Sequence, residues 1–151
     1  MLRLRLLGSF ELRGPGDKPL KIPARKTRAL LAFLALQNGA RQSRERLLWE
    51  DADAELARSS LRQALTALRR ALPERQLGVL EADAHEVALN LAQVQVDVLQ
   101  LRALLADSSA ASLKAARAIA AESLLEGFDA RSGAFDDWVA AERRGLRREL
   151  A

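Results

Sequence analysis

Residues 55–72, ELARSSLRQALTALRRAL, constrain this chain most, because they place a dry face and a cationic face on one helix. Leu61, Leu65, Leu68 and Leu72 recur at spacings of four, three and four, which stacks them in a single stripe. At about 100° per residue, Ser59, Gln63, Thr66 and Arg70 point to the opposite side, with Arg62 and Arg69 on one flank. No acidic residue falls between Ala57 and Pro73. Arg, Gln, Ser and Thr are the side chains that read base edges or grip phosphates. The same pattern also describes a helix face that is simply solvated, so the segment alone leaves both readings open. Its surroundings favour the first.

The net charge of +4 is unevenly spread. Residues 1–95 hold 16 Lys and Arg against 11 Asp and Glu, whereas residues 96–151 hold 8 against 9. The basic excess therefore belongs to the first part, which points there for an anionic partner. With 49% hydrophobic residues and only 4% aromatics, the composition favours helices packed through leucine and alanine. The absence of cysteine fits a reducing compartment and excludes disulfides, thiolate metal sites and cysteine nucleophiles. The amino terminus, MLRLRLLGSF, lacks the apolar run of a signal sequence, and no window approaches the roughly 18 apolar residues of a membrane span. These features predict a cytoplasmic protein with no membrane association and no cofactor.

Along the chain, Leu2–Leu7 alternates as a half-buried strand, Ser9–Arg13 reads as a second, and Leu20–Ile22 as a third after the Gly14-Pro15-Gly16-Asp17 turn. These glycines are not a phosphate cradle, because Lys26-Thr27 follows Arg25 and not a glycine. From Ala24 to Gln37 apolar residues cover most of a helix, which Asn38-Gly39 stops. A short helix is expected from Ser43, capped by Ser43, with Leu47, Leu48 and Trp49 as its apolar contact. Asp51 or Asp53 then caps the long basic helix, and Pro73 closes it. Leu77–Glu81 and Glu86–Asn90 predict a hairpin. Beyond Val96 three helices are expected, at Asp97–Ala106, Ala110–Leu125 and Phe135–Leu150, with a domain boundary near Val94–Asp97.

Strands, three helices with the third basic, and a closing hairpin form the layout of a winged helix-turn-helix. The segments LRLLGSFEL, ARKTRALLAFLAL, SRERLLW, ARSSLRQALTALRRAL and VALN, in that order, resemble the OmpR-type winged-helix domain of the antibiotic regulatory protein (SARP) group. LLEGFD and DDWVAAERRGLRREL are similar to the start of the bacterial transcriptional activator domain that follows it in those proteins. The resemblance implies an α+β fold: a small N-terminal antiparallel sheet, three helices and a C-terminal hairpin over residues 1–95. A partial, tetratricopeptide-like helical segment would fill residues 96–151. It also implies a bacterial DNA-binding transcriptional regulator, with double-stranded DNA as partner, RNA polymerase as a further one, and self-association through the helical segment. Carried over residue by residue, the DNA-facing positions are Ser59, Ser60, Arg62, Gln63, Thr66 and Arg69, with Arg70 beside them. Arg62 and Gln63 would meet base edges, Ser59, Ser60 and Thr66 phosphates, and Arg69 and Arg70 either. Arg44, with Arg25, Lys26 and Arg28, would add phosphate contacts. Glu50, Asp51 and Asp53 fall where such regulators meet polymerase, although helix capping accounts for them equally well.

Two departures from the resemblance bear on function. Relatives carry about three more residues between SRERL and LW, nearly one helical turn. The hairpin tip carries Glu81, Asp83 and Glu86, where relatives often offer arginine. Both favour an alternative: a winged-helix-derived protein-interaction or dimerisation module that has lost tight DNA binding. An enzyme has little support, since His85 is the single histidine and Asp136-Asp137 diverge on a helix. Trp49 and Trp138 read as packing anchors.

Overall fold

The computed structural model describes residues 1–47, 53–72, 78–120, 122–128 and 133–150. The N-terminal alternation folds as β1 (Leu2–Arg5), burying Leu2 and Leu4 and turning Arg3 and Arg5 outward. β1 pairs antiparallel with β2 (Glu11–Arg13), Leu4 opposite Leu12, and β2 pairs with β3 (Pro19–Leu20). The Gly-Pro-Gly-Asp segment between β2 and β3 is a single 3-10 turn, with Gly16 at φ 73°.

α1 (Arg25–Ala35) buries Ala29, Leu30, Leu31, Ala32, Leu34 and Ala35 and so lies centrally, as its near-continuous apolar surface requires. It stops where Asn38 and Gly39 adopt φ of 59° and 81°, the left-handed conformation that ends helices. α2 (Ala54–Ala71) buries Leu61, Leu65 and Leu68, and Leu72 just beyond it is buried too. Asp53 caps α2 by accepting from the Leu56 amide at 2.9 Å. Asp51 and Pro73 lie outside the described residues.

The helix expected to start at Ser43 is corrected. Gln42–Ser43 forms a strand, β4, and Arg44–Leu47 a 3-10 turn; Leu48 and Trp49 lie outside the described residues. Ser43 still stands directly before this helical turn, its backbone paired opposite Glu86, and the Arg44 amide donates to the His85 carbonyl at 2.8 Å. β4 thereby joins β5 (Leu80–Ala82) and β6 (Glu86–Leu89) in a three-stranded sheet of order β4-β6-β5. β6 lies within its expected bounds, β5 runs one residue past the expected Glu81, and Leu77 is outside the described residues.

A further correction concerns the first sheet, expected to be antiparallel throughout. Val94–Val96 forms β7, which pairs parallel with β1, Leu4 opposite Val96, giving the order β3-β2-β1-β7. α3 (Asp97–Ala106) follows at once, and α4 spans Ala110–Ile119, capped by Ser109. α4 ends before the expected Leu125 because the segment after it is used as a strand. Leu7 and Leu124 form an antiparallel bridge, the Gly8 amide donates to the Ser123 carbonyl, and the Leu125 amide donates to the Leu6 carbonyl. Leu125 and Gly127 turn that segment away with φ of 48° and 71°. α5 (Gly133–Leu150) then returns across the assembly. The Arg143 guanidinium donates to the Leu124 and Leu125 carbonyls at 2.8 and 3.0 Å, holding the turn against α5.

The apolar core runs without a break across residue 96. One cluster joins Leu4, Leu30 and Leu68 to Leu101, Leu125, Phe135 and Leu146. All four phenylalanines and Trp138 line this junction as a chain of ring contacts. Phe10 lies 6.4 Å from Phe128, Phe128 5.8 Å from Phe135, Phe135 5.3 Å from Trp138, and Trp138 4.9 Å from Phe33 on α1. Trp138 is thus the packing anchor its sequence context predicted. Among the described residues no helix is long and apolar enough to cross a membrane, and no group of three or more His, Cys, Asp or Glu could hold a metal ion.

The Asp97 carboxylate accepts from the Leu6 amide at 2.9 Å and the Leu7 amide at 2.9 Å while also meeting the Val98 amide at the start of α3. Replacing Asp97 with alanine leaves the two strand-end amides without that acceptor. The expected cost is about 2–3 kcal/mol, read as a lowered urea midpoint with an unchanged slope.

Candidate nucleic-acid interface

The cations of the first sheet and those of the amphipathic α2 have different surroundings. On the outward face of the first sheet they are neutralised. Arg3 pairs with Asp17, Arg13 with Glu11, and Arg5 with Glu122 at 3.0 Å. Arg28, at the start of α1, donates to the Pro23 carbonyl at 3.3 Å and lies 5.7 Å from the centre of the Phe128 ring. It is committed to the junction with the C-terminal part; Arg25 and Lys26 beside it are exposed, Lys26 engaged within the protein.

α2 carries the second set. Burying Leu61, Leu65 and Leu68 forces the residues half a turn away outward, so Arg62, Gln63, Thr66, Arg69 and Arg70 are exposed. Among the described residues, the side chains of Arg62, Gln63, Arg69 and Arg70 have no hydrogen-bond or ion-pair partner. Ser59, Arg62, Gln63, Thr66 and Arg70, together with Ala67, line one shallow recess of about 300 Å³ along the helix. Five of the sequence-predicted residues are thereby brought to one place. Arg69 stands on the same helix outside the recess lining, and Ser60 is half-buried and engaged within the protein. Arg69 and Arg70 also sit in the last turn of α2, where the helix dipole favours positive charge.

Arg44 lies apart from this recess, on the 3-10 turn after β4. Its side chain is half-buried, with an enclosed Nε that has no hydrogen-bond partner among the described residues. It is tucked against the protein and not extended as a free cation. Of the acidic residues before α2, Asp53 is occupied as the helix cap, and Glu50 and Asp51 lie outside the described residues.

The hairpin tip holds a feature the sequence pattern did not reveal. Arg41, just before β4, reaches across to Asp83 at 2.8 Å, Glu86 at 3.2 Å and Glu81 at 3.9 Å. One guanidinium thus partly neutralises all three tip carboxylates, and the tip keeps an acidic excess. The lone arginine before Gln42 carried no periodic signal; only the β4–β6 pairing makes the two ends adjacent. Ala67 was likewise passed over, being an apolar residue on a polar face, yet it lines the recess.

Asp83 organises the tip. Its carboxylate accepts from the His85 amide at 2.7 Å and the Glu86 amide at 2.8 Å. These two bonds, with Arg41 adding to them, hold its carboxyl below the ordinary value of 3.8. A lowered value in the folded chain means the ionised form supports the turn. Its contribution is complete above the ordinary value and is lost as pH falls below it. The protection of the His85 and Glu86 amides against exchange, followed by NMR, is expected to fall selectively as pH drops below the ordinary carboxyl value. In Asp83→Ala the same amides exchange faster at neutral pH and lose that dependence.

Neither a protein-family profile nor a curated protein sequence matches this chain. Among solved structures, Mycobacterium tuberculosis EmbR in complex with a low-affinity phosphopeptide is similar in fold. Its TM-score is 0.65 at 19% sequence identity, covering 98% of this chain and 43% of that one. The likeness is one of fold, and this chain spans less than half the length of that protein.

Proposed function

We propose that the protein is a DNA-binding transcriptional regulator of the SARP-like type, with α2 as the recognition helix in the major groove. The observation that carries this reading is the α2 face itself. Three arginines and a glutamine stand exposed there without partners among the described residues, while the arginines of the first sheet are already neutralised. A helix of this width fits the major groove, and long unpaired donors meet the base edges and phosphates that line it. The fold likeness to EmbR and the ordered motifs quoted above support the same conclusion.

In this reading residues 1–95 form the winged-helix part and residues 96–151 the beginning of the helical activator part. Arg62 and Gln63 address bases, Ser59 and the Thr66 hydroxyl phosphates, and Arg69 and Arg70 either, while Ser60 and Arg44, half-buried against the protein, stand back from that face. The β5–β6 hairpin is the wing. Its acidic excess keeps it from probing a groove, so affinity rests on α2. The helical part holds α1, through Trp138 on Phe33, in the position against which α2 packs. Self-association and contact with RNA polymerase belong to the same proposal, as does a cytoplasmic location.

A second reading is a protein-interaction or dimerisation module derived from this fold. Two observations favour it: a 3-10 turn stands where the second helix was expected, and the hairpin tip is acidic.

Fluorescence anisotropy with mixed-sequence duplex DNA separates the two. The regulator reading expects binding that weakens steeply between low and moderate salt and collapses in Arg62→Glu/Arg69→Glu while the circular dichroism spectrum is retained. Arg70→Ala is expected to reduce the logarithmic salt slope by about one. Absence of binding at low salt would hand first place to the interaction module.

A further inference from the structure

Ala67 is an anomaly on the exposed side of α2. The recess it lines is otherwise bounded by Ser59, Arg62, Gln63, Thr66 and Arg70, all polar. Gln63 precedes Ala67 by one turn and Arg70 follows it by three residues, so two long side chains flank a position that has only a methyl group. The neighbouring Thr66 adds a second methyl. The result is an apolar floor between hydrogen-bonding walls, about 300 Å³ in all and open to solvent.

The chemistry of this arrangement is specific. In the major groove the one apolar group a base pair presents is the thymine C5-methyl, and alanine or a threonine methyl is its usual contact. A glutamine amide matches the N6 and N7 of adenine, and an arginine fork matches the O6 and N7 of guanine. One helical turn advances about 5.4 Å against about 3.4 Å per base step, so residues one turn apart address pairs one or two steps apart.

We propose that the α2 recess is a thymine-methyl seat, formed by Ala67 and Thr66, within a mixed-sequence operator element. Gln63 selects an adenine and Arg62 a guanine within two base steps of that thymine. This inference rests on the regulator reading above and deepens it by naming the bases. The competing account of Ala67 is helix propensity alone, which assigns the methyl no partner.

The test alters the DNA and leaves the protein intact. Duplexes are selected by the full chain from a randomised pool, and each thymine is then replaced singly by uracil, which removes only the methyl. One thymine is expected whose replacement weakens binding roughly fourfold, the worth of one buried methyl-sized group. Thr66→Ser and Ala67→Ser should each shrink that difference, and Gln63→Ala should relax the preference for adenine beside it. Salt-dependent, sequence-selective binding that is indifferent to every thymine-to-uracil change overturns the methyl seat and leaves the regulator reading standing. So does a methyl effect that survives unchanged in both serine variants. No salt-dependent binding to any duplex overturns the regulator reading, and the methyl seat with it.

Discussion

The hydrogen bonds from the Leu6 and Leu7 amides to the Asp97 carboxylate are the joint on which the fold turns. β1 ends at Arg5, and the two amides beyond it must find acceptors outside the strand ladder. Asp97 supplies them at the first residue of α3, immediately after β7 has paired parallel with β1. A single carboxylate thereby fixes where the second half of the chain leaves the first sheet. α3 must start at that point, and the segment at 123–126 comes back to bond with residues 6–8 on the same strand extension. Gly8 accommodates this return with φ 89°, and a side chain there would collide with Glu122.

From this joint the geometry passes to the exposed helix. α5 brings Trp138 against Phe33, and Phe33 belongs to α1, whose buried leucines pack on α2. α2 is consequently gripped on its leucine side and free on the other. The grip is apolar and dense, the condition under which a long helix can present side chains at fixed spacing. The protein's electrostatics follow the same division. On the first sheet carboxylates reach the arginines, Asp17 from the turn after β2 and Glu11 from β2 itself; on α2 no acid follows Glu55, and Arg62, Arg69 and Arg70 remain exposed.

The legible parts of the fold were those governed by local periodicity. The leucine stripe of α2, the apolar surface of α1, its stop at Asn38-Gly39 and the alternation of β1 each depend on residues within one or two turns or strand steps, and each appears where expected. The misread parts share a different cause. Ser43 precedes a helical turn as expected, but strand pairing with Glu86 also claims its backbone, and the turn that follows is 3-10 and not α. Residues 123–125 continue a helical pattern, but the end of β1 claims their amides and carbonyls. β7 is three residues long, too short to announce itself against the helical pattern that follows. In each case tertiary pairing outcompeted a local preference worth a fraction of a kcal/mol per residue.

The candidate interface divides in the same way. Sequence by itself determined which side chains α2 turns outward, because helical geometry ties the polar face to the positions opposite the leucines. It determined the acidic character of the hairpin tip as well. Only the tertiary structure decided which cations stay available. Arg5 meets Glu122 across 117 residues and Arg41 meets Asp83 across 42, and no periodicity within either segment encodes such a partner. Charge is additive along a sequence, but its availability is set by distances in space, and those are fixed by strand pairing and the junction at Asp97.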